Sequence, residues 1–353
     1  MPVIRCPHNM DIHFSEEILL AIMLDNPLAI TTSSLGLHPS HTLPEKIHAA
    51  ASASFSGIEI IYKELEDYAL SQEPALSISD AAQAIAKLCS SENLTVLSLN
   101  PFKNFEGHHS PLENRLESAR NWIEIAACLG AKYLQVPSQF DTANSSGDWP
   151  RMVAELRELS ALAASYSVSI AYEAVAWGTY IDTWEESLRM VQDVDRVNFG
   201  LCLDSFHVAA RVWGDVTVKS GMREDADSAL QKSLDRFVET CPLDRIFYMQ
   251  LSDGERFLPP LTSEHRFYSE ALPPSICWSR NMRPFPLEEE LGAYLPVTAI
   301  SHAWLKRKGW KGVVSLEIFD WRMRENESPR PNENVQRAVE SLRKLSTALE
   351  KYA

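Results

Sequence analysis

The sequence predicts a (β/α)8 barrel on three observations. Short runs rich in β-branched and apolar residues recur eight times from Leu28 onward, each is followed by a longer segment of helical period, and composition does not shift along the chain. The runs fall at 28–33, 57–61, 95–100, 132–137, 168–173, 199–204, 245–250 and 312–317. Their start-to-start spacings of 29, 38, 37, 36, 31, 46 and 67 residues each hold a strand, a crossover helix and two loops, so neighbouring strands are expected to run parallel. A doubly wound sheet is the other arrangement that satisfies this alternation.

Taken in order, the first 27 residues read as an N-terminal extension with one short helix. The apolar run Ile18 to Leu24 is seven residues long, against the roughly 20 needed to span a bilayer. It is flanked by Glu16, Glu17 and Asp25 rather than by a basic or Arg-rich segment, so neither a membrane anchor nor a targeting peptide is expected. Two crossover helices are legible in detail. Leu116, Ala119, Ile123 and Ala126 form a stripe ending at Gly130, and Leu230, Leu234 and Phe237 form another ending before Pro242. The segment 251–296, with Pro259-Pro260 and Pro273-Pro274, is too long for an ordinary barrel loop and is expected to cover the mouth as a lid. Residues 28–353 are thus expected to form a single catalytic domain.

Charge and cysteine content exclude several functions. Thirty-three basic against 48 acidic side chains leave a net charge of −15, which repels phosphate backbones. Six cysteines lie far apart with no CxxC pair, which argues against a disulfide framework and a structural zinc site and fits a reducing, cytoplasmic location. No GxGxxG, GxxxxGK[ST] or GxSxG stands at a strand-to-helix junction, so dinucleotide, P-loop and serine-hydrolase chemistry lack their apparatus.

Glu173, Asp204, Gln250 and Glu317 end strands five to eight. In a parallel barrel that places them together on the C-terminal face, where barrel enzymes do their chemistry. Three converging carboxylates repel one another unless protonated or bound to a cation, and a divalent metal meets that demand. Three carboxylates and an amide oxygen suit Mg²⁺, Mn²⁺ or Co²⁺, with zinc left open. His207 follows Asp204 by three residues and is the candidate acid–base group. Trp177, Trp213 and Trp278 are candidates to wall a small planar substrate, with plain core the alternative for each. Arg266, Arg280 and Arg283 concentrate positive charge in the 251–296 insertion and match a carboxylate ligand.

The motifs Ala171-Tyr172-Glu173-Ala174, Asn198-Phe199-Gly200-Leu201-Cys202-Leu203-Asp204, His265-Arg266-Phe267-Tyr268, Trp278-Ser279-Arg280-Asn281, Gly292-Ala293-Tyr294-Leu295-Pro296-Val297 and Ser315-Leu316-Glu317 together resemble the fungal 3-dehydroshikimate dehydratases of quinate catabolism, within the sugar phosphate isomerase/epimerase-like barrels. The resemblance runs from about residue 28 to about residue 324. It implies a metal-dependent lyase that converts 3-dehydroshikimate to protocatechuate, with the metal on Glu173, Asp204, Gln250 and Glu317 and His207 catalytic. Lys103 occupies a loop that in relatives carries Gln-Pro-Phe and a variable polar or basic residue; here Asn100 replaces that Gln, and Lys103 is a candidate substrate contact. The expected partner is a small molecule, with neither nucleic acid nor membrane and with a homo-oligomer left open. A keto-sugar isomerase or epimerase, or a catalytically silent barrel with a binding role, are the rival readings.

Overall fold

The computed structural model describes residues 24–325 and 330–352. The short helix expected in the N-terminal extension lies outside them. Eight parallel strands close into a barrel in the order β1 (Leu28–Thr31), β2 (Gly57–Ile61), β3 (Thr95–Asn100), β4 (Tyr133–Pro137), β5 (Ser169–Glu173), β6 (Phe199–Asp204), β7 (Ile246–Leu251) and β9 (Val314–Leu316), with β9 pairing back to β1. The doubly wound alternative is thereby excluded. Each predicted strand is present to within two residues at either end, the first being shorter by two at its C-terminal end. There the chain leaves β1 early and winds into a 3-10 turn at Thr32–Leu35, with Thr31 Oγ1 bonded to Ser33 and Ser34.

The two predicted crossover helices are Leu112–Leu129, stopped by Gly130 at φ 69°, and Ala226–Thr240. The ring closes with a helix that the strand count does not reveal, Pro331–Lys351, which buries Val335, Ala338, Leu342, Leu345 and Leu349. Before β1, Asn26 Nδ2 donates to the carbonyls of Trp310 and Gly312, both at 3.0 Å, and so pins the chain entry to the approach to β9.

Strand alternation sets the barrel's interior. Ala29, Leu97, Tyr133, Ala171, Cys202 and Tyr248 form one buried layer, and two residues further along several of the strands stand Gln135, Glu173, Asp204 and Gln250. Apolar packing at the lower level gives way to a polar layer at the C-terminal end.

The 251–296 insertion is docked rather than free-standing. A short strand, β8 (Met282–Arg283), pairs antiparallel with β10 (Phe319–Asp320), just after β9. The Trp278 ring, 1% exposed, lies so close to Gly214 and Gly254 that a Cβ on either would meet it at 2.6 Å. Trp278 is therefore a core pillar and Trp213, also buried, packs with Tyr294; neither walls a substrate. Asp253 accepts hydrogen bonds from the backbone N–H groups of Gly254, Leu287, Tyr294 and Leu295, so one carboxyl ties both ends of the insertion together. Arg337 on the last helix bonds Glu288 at 2.8 and 2.9 Å and Asp320 at 2.8 Å, fastening the same region from outside.

Removing the Asp253 carboxyl strands four backbone donors. Asp253→Ala is expected to cost about 3 kcal/mol or more, read as a lower urea midpoint with an unchanged slope.

Candidate active site

The sheet register brings the predicted acids into one layer. Glu173 stands beside Cys202 on β6, Asp204 beside Gln250 on β7, and Gln250 beside Ser315 on β9. Glu317 lies one residue beyond its strand, held by its N–H to the Leu251 carbonyl at 3.2 Å.

Glu173, Asp204 and His207 are buried, and one ligand atom from each falls within 4.8 Å of the others. His207 Nε2 is 3.7 Å from Glu173 Oε1 and 3.7 Å from Asp204 Oδ2. Glu173 Oε2 accepts from the Gln135 amide, but its buried Oε1 has no hydrogen-bond partner. A buried carboxylate oxygen without a donor, facing a second acid, is a cation ligand lacking only its cation, so the donors present fit a divalent metal.

Glu317 and Gln250 adjoin that trio, Glu317 close enough for its charge to act on Glu173 and Gln250 beside Asp204 in the sheet. Between Asp204 and Glu317 sits Arg283, fully buried, at 2.6 Å from Asp204 Oδ2 and 3.2 Å from Glu317 Oε2; its remaining donors go to Ser252 and Ser279, and its guanidinium stacks over Phe206. Gln250 points Nε2 at Glu317 Oε1, 3.3 Å away, while its Oε1 accepts from Cys202 Sγ. In this arrangement the amide nitrogen, not the oxygen, faces the acids.

His207 follows Asp204 because Asp204 caps the helix Ser205–Val212, its Oδ1 accepting from Phe206 N at 2.7 Å. The Ala176 N–H donates to His207 Nδ1 at 3.1 Å, so the proton of the neutral ring sits on Nε2, the nitrogen that faces the acids. Burial lowers the His207 pKa to about 4, Arg283 adding to the shift and Asp204 opposing it. At neutral pH the ring is an uncharged donor. Trp177 packs edge-on against it at 4.8 Å, and its buried Nε1 has no partner.

Burial also raises the carboxyls. Glu173 stands well above its ordinary range through desolvation and then Glu317 and Asp204; Glu317 is pushed up to about 8 by desolvation, against the pull of Arg283.

The remaining predicted cations separate. Arg266 is exposed and stacks on Trp321 at 3.8 Å and Phe267 at 4.4 Å. Lys103 and Arg280 are exposed at the rim and have no carboxylate partner. The Lys103 pKa is lowered by desolvation of its ammonium and then by Arg280, with Glu317 opposing, and that of Arg324 is lowered by desolvation, Asp320 opposing and Arg280 adding to the shift. These three cations are therefore electrostatic neighbours beside the acid layer.

Sequence reasoning missed Glu59, Gln135 and Arg324. Glu59 and Gln135 were visible as single polar residues inside the apolar runs Gly57-Ile58-Glu59-Ile60-Ile61 and Tyr133-Leu134-Gln135-Val136, a signal that a strand's inner face turns polar. Arg324 carried no such signal.

A closed parallel barrel with an acid-and-histidine cluster at its C-terminal end defines a class, and residues 47–345 match the family model described as xylose isomerase-like TIM barrel, to which the chain belongs. Within it, the chain belongs with the 3-dehydroshikimate dehydratases: it is 36% identical over 337 residues to the 3-dehydroshikimate dehydratase of Neurospora crassa, covering 91% of this chain and 94% of that one. A protein of the same name from Pseudomonas aeruginosa is 30% identical over 90% of this chain, which spans 41% of that longer relative. Among solved structures, a xylose isomerase-like TIM barrel/4-hydroxyphenylpyruvate dioxygenase fusion protein superposes with a TM-score of 0.68 at 25% identity, covering 90% of this chain and 42% of that one. The IOLI protein, solved with a zinc atom, superposes with a TM-score of 0.67 at 20% identity over 93% of this chain and 99% of its own length and shares the fold. Among the described residues no helix is long and apolar enough to cross a membrane.

Burial raises the Glu317 carboxyl to about 8 and the Glu173 carboxyl well above its ordinary range, so filling the site with a dication should release protons. Calorimetry of Mn²⁺ binding at pH 7 in buffers of different ionisation enthalpy should show proton release, with affinity rising between pH 6 and 8. Equal affinity across that range would place the ion elsewhere.

Proposed function

We propose that the chain dehydrates 3-dehydroshikimate to protocatechuate with a divalent metal in the acid layer. The observation that carries this reading is the unpartnered Glu173 Oε1 beside Asp204 and His207, in a chain that aligns with the Neurospora crassa dehydratase over almost its whole length. Glu173 and Asp204 would hold the ion, with Glu317 as a further ligand and Gln250 holding the Glu317 carboxyl through its amide nitrogen. When bound, the ion supplies Lewis acidity at the substrate ketone and makes the neighbouring C–H acidic.

The protein's own groups do the rest. Glu317, whose proton leaves when the ion binds, would be the carboxylate that takes the C4 proton. His207 presents Nε2–H toward the same space and hydrogen-bonds the C5 hydroxyl, which departs as water with the proton that Glu317 has taken up. This revises the role expected from the sequence, in which His207 itself removes the proton: base action at Nε2 needs the opposite tautomer, whose Nδ1–H would point at the Ala176 N–H. Trp177 Nε1 is a second free donor on that side. Docking of the insertion supports its role as the roof that excludes water.

The substrate carboxylate falls to Lys103, Arg280 and Arg324, three neighbouring cations that form no salt bridge among the described residues. Arg283 is committed to Asp204 and Glu317, and Arg266 to the Trp321 ring.

The direct test is ultraviolet monitoring of metal-loaded protein with 3-dehydroshikimate: protocatechuate should appear, vanish after chelation and return with Mn²⁺, Mg²⁺ or Co²⁺. Undiminished turnover in metal-free protein would contradict the mechanism. His207→Ala should lower kcat roughly 10²-fold, while His207→Gln, whose amide still donates, should keep more of it; equal losses would restore His207 as the base. Arg280→Gln should raise KM for 3-dehydroshikimate about tenfold or more, and much less for an analogue with an uncharged group in place of the carboxylate.

A further inference from the structure

Glu59 is a carboxyl with no solvent exposure, set on β2 within the layer that carries the site. Five side chains from three strands donate to it. Ser98 Oγ (2.7 Å) and Asn100 Nδ2 (3.2 Å) come from β3, Tyr248 OH (2.9 Å) and Gln250 Nε2 (3.1 and 3.2 Å to its two oxygens) from β7, and Ser315 Oγ (2.5 Å) from β9. No Lys, Arg or His among the described residues pairs with it. A buried carboxyl surrounded only by neutral donors contributes little to stability for its cost, so so complete a shell points to a task in orienting its donors.

Its links lead to the site. Gln250 Nε2 has two hydrogens; one goes to Glu59 and the other to Glu317 Oε1 at 3.3 Å, while Cys202 Sγ fixes the amide oxygen at 3.3 Å. Ser315, a second donor, lies on β9 two residues before Glu317. We infer that Glu59 is a positioning residue: it fixes the Gln250 amide and, through Gln250 and Ser315, the Glu317 carboxyl of the acid layer. Asn100 belongs to the same shell and ties the Lys103 loop to it. The inference rests on the metal reading above, because its consequence is an acid layer held in the geometry that binds the ion.

Glu59→Gln isolates this role at nearly constant volume. The Gln250 nitrogen contacts both Glu59 oxygens, so whichever way the new amide turns, its NH2 meets the Gln250 NH2 at about 3 Å. Gln250 must then turn over, and its oxygen confronts the Glu317 carboxyl. Mn²⁺ affinity, measured by calorimetry, should weaken about tenfold or more, with kcat reduced and KM for 3-dehydroshikimate changed by less than about threefold. A folded Glu59→Gln protein with Mn²⁺ affinity within about twofold of the parent overturns the inference, whether or not its melting temperature falls, since a residue that only supports the fold would lower stability alone. If this variant does not fold, Glu59→Asp decides: it keeps a carboxylate but falls roughly 1.5 Å short of Gln250, so affinity weakened about fivefold or more supports the positioning role and parental affinity overturns it. Parent protein that binds no Mn²⁺ overturns the metal reading together with this inference, whereas parental binding matched by Glu59→Gln overturns the inference alone.

Discussion

Four buried carboxyls, Glu59, Glu173, Asp204 and Glu317, share the top of the barrel with one buried guanidinium, Arg283, and that imbalance of charge organises everything around it. Burial alone would drive the acids to protonate, and the raised positions of Glu173 and Glu317 show the fold working in that direction. Arg283 holds two acids together and leaves Glu173 Oε1 bare. Fully ionised, the layer carries a deficit of three charges, of which a dication would offset two, and so the chemistry assigned to the site is electrophilic rather than nucleophilic.

The insertion and the last helix are then explained by what they do for Arg283. Its strand β8 is anchored to β10, its neighbour Trp278 is locked between two glycines, and Asp253 ties the far end of the insertion back to the end of β7. Arg337 reaches from the final helix to Asp320 on β10 and to Glu288. A cation delivered by a segment outside the barrel is positioned only as well as that segment is docked, and every one of these contacts is buried or partly buried.

Much of this was legible in the sequence because it is periodic or local. Alternating apolar runs and their spacing predict the eight strands, Gly130 a helix end, and an acid or amide at the close of strands five to eight points to Glu173, Asp204, Gln250 and Glu317. What was not legible is pairing over distance. Arg266, Arg280 and Arg283 look alike in sequence, yet the first stacks on an aromatic ring, the second stands at the rim and the third is buried against an acid 79 residues away. Glu59 shows in the sequence as one acid in an apolar run, but nothing there announces the five donors that surround it. The tautomer of His207 depends on one backbone N–H, from Ala176, which no motif records.

The central claim is that the charge deficit at Glu173 and Asp204 is filled by a divalent cation. Anomalous scattering from crystals of Mn²⁺-loaded protein, collected at the manganese edge, tests it without reference to turnover. The account predicts a single strong peak about 2.0–2.3 Å from Glu173 Oε1 and from an Asp204 oxygen, with Arg283 still within reach of Glu317. A peak away from both acids, or none in protein saturated with Mn²⁺, would contradict it.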